Sequence, residues 1–201
     1  MWQMENKMKK IKLLLVLLPL LAMLGCAHPM VISPRVEELP AENKVKVDKV
    51  VGYYISAANL ALNVESPGGG GDRLAYHPYK DIEAALSKVL FNIYKDVYKL
   101  KSKDDVGELK TNKITYVFVP TVSTTSSSPS PFTWPPTDFS VTLKVNALDN
   151  TGKQLWSSEV KGEGHAEFEQ FKDDFQLAAR LASKEAFIKL QKEIVKTDAL
   201  H

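Results

Sequence analysis

One cysteine stands in 201 residues, and that scarcity excludes an internal disulfide and any multi-cysteine zinc or iron–sulfur site. An excess of one charge is also missing. The 26 Lys and Arg oppose 24 Asp and Glu, a formal net charge of +2, so no nucleic-acid partner is indicated. No apolar run reaches the roughly 20 residues that a membrane-spanning helix takes. Catalytic signatures are lacking too. The chain has no Gly-x-Ser-x-Gly elbow and no His-Glu-x-x-His pair. The four glycines Gly68 to Gly71 are not followed by the Lys-Ser or Lys-Thr of a phosphate loop, so they are expected to form a flexible connection. Its carboxylates stand in no evident apolar setting that would tune a pKa for acid–base work. The expectation is a non-catalytic protein, with no catalytic residue, no metal and no soluble cofactor. What remains is a globular composition, 44% hydrophobic and 25% charged, long enough for one domain.

The single cysteine has a telling position. Lys7, Lys9, Lys10 and Lys12 form a basic start, followed by the uncharged run Leu13 to Leu24 and then Gly25-Cys26. Twelve apolar residues interrupted by Pro19 suit the apolar region of a signal peptide. Met1, Met4 and Met8 are all candidate starts. A small residue and a cysteine directly behind such a run resemble the lipobox of bacterial lipoproteins, with Met23 and Leu24 where that family has Leu and a small residue. The resemblance implies cleavage between Gly25 and Cys26, a diacylglyceryl group on the Cys26 thiol and an acyl chain on the new N-terminus. Ala27, rather than Asp, follows the cysteine, which by the same resemblance implies the periplasmic face of the outer membrane. Residues 1–25 carry four Lys and one Glu, so their removal leaves a net charge of −1. The membrane is then reached through lipid rather than charge.

Behind the signal, residues 26–46 hold three prolines after the cysteine and no sustained period. They read as a flexible tether, with an edge strand at Val31 to Pro34 as the other reading. Residues 47–201 read as a single α+β domain. Residues 49–64 are expected to form one long or two short strands. A helix opens at Pro78, has Asp81 and Glu83 in its first turns, and places Ile82, Leu86, Val89, Leu90, Ile93 and Val97 at helical spacing, with a boundary near Val97. Residues 114–122 read as a central strand whose Pro120 marks its end at the sheet margin. Residues 139–148 alternate, with Phe139, Val141, Leu143, Val145 and Ala147 on one face. Asp149 to Gly152 then turns into a second strand over 153–168. The last helix runs from about Asp173 to Lys196, with Asp173 or Asp174 as cap and Leu177, Leu181, Ile188 and Val195 as its apolar stripe. The order strand, helix, strands, hairpin, helix gives a mostly antiparallel or mixed sheet with two main helices packed on one face.

Two stretches are candidates for function. Residues 120–137 contain five prolines and ten Ser or Thr around Phe132 and Trp134, and cannot build a core. Both aromatics are candidate partner contacts; the other reading folds them back as a lid. Glu163, His165, Glu167 and Glu169 alternate and share one strand face, either as ligands or as a solvated surface, and the latter is preferred.

The signal ending in Gly25-Cys26, then Ile32-Ser33-Pro34, the first strand and helix, the strand at 114–122, the Asp149-to-Gly152 hairpin and the terminal helix follow in an order that resembles the YajG-like group of small bacterial outer-membrane lipoproteins. That resemblance implies a compact periplasmic domain and lends no catalytic residues. The expected function is a lipid-anchored accessory or interaction module of the cell envelope with a protein partner there. The alternative is an auxiliary lipoprotein of an envelope lipid or solute transport system.

Overall fold

The computed structural model describes residues 27–41, 45–67, 73–128 and 137–201, without the side chains of Pro67, Phe168 and Phe171. Two sheets are present among them. The larger has five strands: β2 (Val47–Tyr53), β5 (Tyr94–Lys99), β6 (Ile114–Ser127), β7 (Asp138–Asp149) and β8 (Gln154–His165). Their order is β5-β2-β6-β7-β8. β2 runs parallel to both neighbours, whereas β6, β7 and β8 form an antiparallel meander. The smaller sheet sets β4 (Arg73–Tyr76) between β1 (Ala27–Pro29) and β3 (Val64–Pro67). The protein is therefore α+β with mixed sheets.

Both main helices pack on the same face of the larger sheet. They are α2 (Pro78–Ile93) and α5 (Leu177–Lys196), with the short helices α1 (Ala57–Ala61), α3 (Val106–Thr111) and α4 (Phe168–Phe171) between other elements. Burial follows the alternation expected for β7: Phe139, Val141, Leu143, Val145 and Ala147 join the core with Ile82, Leu86, Val89, Leu90 and Ile93 of α2. A second, smaller cluster on the opposite face holds Leu100, Leu109, Ile114 and Val117, covered by α3. Asp105 caps α3, its carboxylate accepting from the Glu108 amide at 3.0 Å.

Several expectations are corrected. Residues 27–41 of the stretch expected to be tether are folded: β1 pairs in parallel with β4, and Ile32 and Leu39 are 0% and 2% exposed. Burying these side chains outweighs the proline content, and the Ile32 amide is satisfied by the Asp81 carboxylate at 3.1 Å. Residues 57–61 form a helix rather than strand, because Ser56 caps it by accepting from the Asn59 amide. α2 ends at Ile93, and Tyr94 already belongs to a strand paired with β2. Pro120 does not end β6. It is buried opposite Val145 in the middle of a strand that continues to Ser127. β2 pairs with β6 only as far as Phe118, so the missing N–H of Pro120 falls where β6 has no ladder partner on that side. Val122 in this strand is buried as well, so residues 120–127 do contribute to the core.

Of the expected α5 stripe, Leu177, Ile188 and Val195 are half-buried against the core, but the fully buried face is a different one. Ala178, Ala179, Ala182, Ala186, Phe187, Leu190 and Ile194 are buried, while Leu181 is 37% exposed. α5 begins at Leu177 with Gln176 at its cap position; Asp174 instead pairs with Arg180 and accepts from the Gln176 amide. The small face is needed because α5 lies directly on Gly162 and Gly164 of β8.

Candidate functional site

Gly25, Cys26, Phe132 and Trp134 lie outside the described residues, but the residues beside them do not. Ala27, which follows the cysteine, opposes Arg73 at the end of the smaller sheet. Pro67 opposes the same Arg73, so the chain ends that flank residues 68–72 are there too. Ser66, one residue back along β3, meets Ser126 of β6, its hydroxyl accepting from the Ser126 hydroxyl at 3.2 Å. β6 ends at Ser127 opposite Asp138, where β7 begins. The chain on both sides of residues 129–136 therefore emerges at the end of the domain that receives Cys26. Topology brings Ala27 and Ser127 to the same end of the domain.

A polar cleft of about 410 Å³ opens at this end, between β6, β7 and β8. Thr125, Ser127 and Ser140 supply hydroxyls, and Lys161, Glu163 and His165 supply charge. Strand pairing accounts for the set. Asp138 opposes both Ser127 and His165, so alternate side chains of three strands reach one surface. The Thr125 and Ser140 hydroxyls bond each other at 2.7 Å. Lys161 Nζ donates to Glu163 Oε1 at 2.6 Å.

His165 organises the mouth of the cleft. Its Nδ1 stands 2.7 Å from Asp138 Oδ1 and its Nε2 2.9 Å from Glu167 Oε1. A neutral imidazole has only one N–H, so a carboxylate on each nitrogen suits the doubly protonated ring. The hydrogen bond with Glu167, followed by that with Asp138, raises the His165 pKa above its ordinary 6.5. The bond from His165, helped by the Thr137 hydroxyl, holds Asp138 below its ordinary 3.8. Both groups are about half exposed to water. Both ring nitrogens are occupied, so neither stands open to take a proton from a neighbouring hydroxyl.

The expected row of four alternating residues is thus divided. His165 and Glu167 come together, Glu163 turns to Lys161, and Glu169 pairs with Lys172. β8 stops at His165, so the two later glutamates are no longer on a strand. Among the described residues, no group of three or more His, Cys, Asp or Glu side chains is placed to hold a metal ion. The partner that sequence spacing misses is Asp138, which lies 27 residues away and meets His165 only through the hairpin register.

A second cleft of about 430 Å³ lies toward the other end of the meander, beside the Asp149 turn. It is lined by Val106 and Leu109 of α3 with Ile114 and Tyr116 of β6, and is the more apolar of the two. Among the described residues, no helix is long and apolar enough to cross a membrane.

No protein-family model and no curated protein matches the sequence. Solved structures do resemble it. A DUF330 protein of Xanthomonas campestris is 12% identical, with 85% of this chain and 92% of that one covered at a TM-score of 0.44. A Caulobacter crescentus protein described as a candidate lipoprotein is 11% identical over 72% of this chain and 86% of its own, with a TM-score of 0.35. A Helicobacter pylori protein described as a candidate homologue of a neuraminyllactose-binding hemagglutinin is 14% identical over 81% and 93%, with a TM-score of 0.43.

Proposed function

We propose that this chain is a lipoprotein of the bacterial cell envelope, cleaved behind Gly25 and acylated on Cys26. It works without catalysis as an accessory or interaction module on the periplasmic face of the outer membrane. The observation that carries this reading is the basic start, the apolar run and Gly25-Cys26, followed one residue later by a folded domain that begins at Ala27. Each buried CH₂ of an acyl chain contributes about 0.8 kcal/mol, so several chains hold a domain at the bilayer durably. Anchoring confines the domain to a thin layer and raises its effective concentration toward envelope partners. Ala27 behind the cysteine and the resemblance to the YajG-like group support the outer membrane.

The apolar cleft beside Val106, Leu109 and Ile114 favours a second reading, an auxiliary lipoprotein of an envelope lipid or solute transport system. Fractionation of the full chain and Cys26→Ala tests the anchor on which both readings depend. The unaltered protein is expected in the outer-membrane fraction, with an N-terminal peptide carrying the mass of the diacylglyceryl and acyl groups. Cys26→Ala is expected to lose both properties. A Cys26→Ala protein that still fractionates with membranes rules the anchor out.

A further inference from the structure

We propose that the cleft between α3 and the start of β6 binds the anion of a single-chain fatty acid, its alkyl chain on the apolar walls and its carboxylate between Lys110 and Lys113. This deepens the transport reading and rests on it for the purpose of the site. Val106 and Leu109 of α3 and Ile114 and Tyr116 of β6 enclose a cleft of about 430 Å³. Leu109, Ile114 and Tyr116 are nearly buried, whereas Val106 is 55% exposed. The apolar surface thus has a covered floor and one wall in water, and a chain of methylenes laid along it removes that wall from water. A volume of this size lies at the small end of ligand sites, with room for one alkyl chain rather than the two of a phospholipid.

The polar side of the cleft selects the charge of its occupant. Lys110 and Lys113 line it, and neither ammonium is paired with another of the described residues. Asp149 is the acid among the lining residues, and its Oδ1 is already engaged by the turn: it accepts from the Thr151 amide at 2.8 Å, the Thr151 hydroxyl at 2.6 Å and the Lys153 amide at 3.0 Å. Behind the aromatic wall, Lys49 Nζ donates to the Tyr116 hydroxyl at 2.8 Å. Two unpaired cations beside an apolar wall suit a carboxylate on an alkyl chain. The backbone singles out Lys113. Its φ is +55°, and among the described residues it is the one non-glycine in the left-handed region. It follows the last turn of α3, its amide donating to the Lys110 carbonyl at 3.1 Å, where glycine is the usual residue because a Cβ is crowded there. Lysine is therefore strained at this position, and no ion pair or hydrogen bond of its ammonium with the described residues offsets the strain. Holding an anion in the cleft gives the lysine its reason.

The test uses lysates of bacteria producing the full chain, mixed with a palmitic acid that carries a diazirine on its alkyl chain, then irradiated; the chain is purified and digested. Label is expected chiefly in peptides that span Val106 to Tyr116, and the matching diazirine alcohol, which lacks the carboxylate, is expected to label them several-fold less. Lys110→Glu and Lys113→Gly are each expected to reduce the label from the acid several-fold, as is Val106→Asp on the exposed wall. Lys113→Gly is also expected to unfold at the same or a higher temperature, because glycine relieves the left-handed strain. A lower unfolding temperature means that the lysine serves the fold, and overturns its assignment to the ligand. Label spread evenly over the domain, equal labelling by acid and alcohol, or undiminished label in the variants overturns the site. A labelled cleft whose loss in Lys113→Gly leaves the exchange of radiolabelled palmitate between inner and outer membranes unchanged supports the site and overturns the transport reading alone. An unlabelled cleft in a chain that fractionation shows to be anchored overturns the site and leaves the anchor intact.

Discussion

Gly162 of β8 lies so close to Ala182 of α5 that an added Cβ would stand 2.0 Å from the Ala182 carbonyl oxygen and 2.4 Å from the Ala186 amide. Gly164 repeats the relationship one turn earlier, 2.0 Å from the Ala178 carbonyl oxygen. The obstructing atoms are helix backbone, which cannot rotate away as a side chain can. Gly162→Ala is expected to lower stability by about 2–4 kcal/mol, through displacement of α5 and overpacking of the seam. Urea unfolding measures it, and a loss under about 1 kcal/mol would show that the helix can lift off without consequence.

The same seam explains why one helix was legible and the other was not. Along α2 the buried positions, Asn92 apart, are also the apolar ones, so Ile82, Leu86, Val89 and Leu90 reveal its face. On α5 closeness to glycine matters more than apolar area, and alanine and Ser183 are buried while Leu181 meets water. Pro120 misleads for another reason: its tolerance depends on β2 ending at Tyr53, opposite Phe118, which is a property of the neighbouring strand. The prolines before residue 46 conceal Ile32 and Leu39, whose burial needs α2 to be in place. Asp138 is hidden by a bulge at Leu155. The Asp149 amide bonds the Lys153 carbonyl, and counting pairs from that turn sets His165 against Thr137; the extra residue moves it to Asp138. Cys26 remains the residue that sequence alone makes most informative, because its meaning lies in its neighbours along the chain.

Asn92 of α2 and Gln191 of α5 form a buried polar bridge that also holds the segment behind β1. Asn92 Nδ2 donates to Gln191 Oε1 at 2.8 Å and to the Leu39 carbonyl at 3.1 Å, and Gln191 Nε2 donates to the Pro40 carbonyl at 2.8 Å. Asn92→Leu removes the donor and leaves two acceptors without it. An expected loss of about 1–3 kcal/mol follows from burying unsatisfied polar groups. Hydrogen exchange should quicken around Leu39 to Ala41 more than in β7. Uniform quickening throughout the domain would deny the bridge its local role.

β8 is an edge strand of twelve residues, a length that invites pairing with another chain. Two side chains of α5 cover part of that edge. Lys189 Nζ donates to the Lys161 carbonyl at 2.8 Å, and Glu185 Oε2 accepts from the Glu163 amide at 2.6 Å. The amide bond, followed by Lys189, holds the Glu185 carboxyl below its usual range. Glu185→Ala/Lys189→Ala exposes both backbone groups to a second strand. Sedimentation velocity should then show concentration-dependent self-association stronger than that of the unaltered chain. Identical sedimentation of the two proteins over the same concentrations would mean that the edge is protected by something else.

His165 gives the domain a pH dependence whose sign can be stated. Its pKa is raised in the fold, so its contribution to stability is complete below about 6.5 and is lost as pH climbs through the raised value. Asp138 is shifted down, so its contribution is complete above its unfolded value and is lost as pH falls through the depressed one. The two limits leave a window between them in which His165 is cationic and Asp138 anionic. Nuclear magnetic resonance titration of the His165 ring should therefore find a midpoint above 6.5. His165→Gln should abolish that transition and return the Asp138 titration toward 3.8, because the first cause of its shift is gone. A His165 midpoint at or below 6.5 would mean that water at this half-exposed site screens the two carboxylates, and that the ring is held by geometry rather than charge.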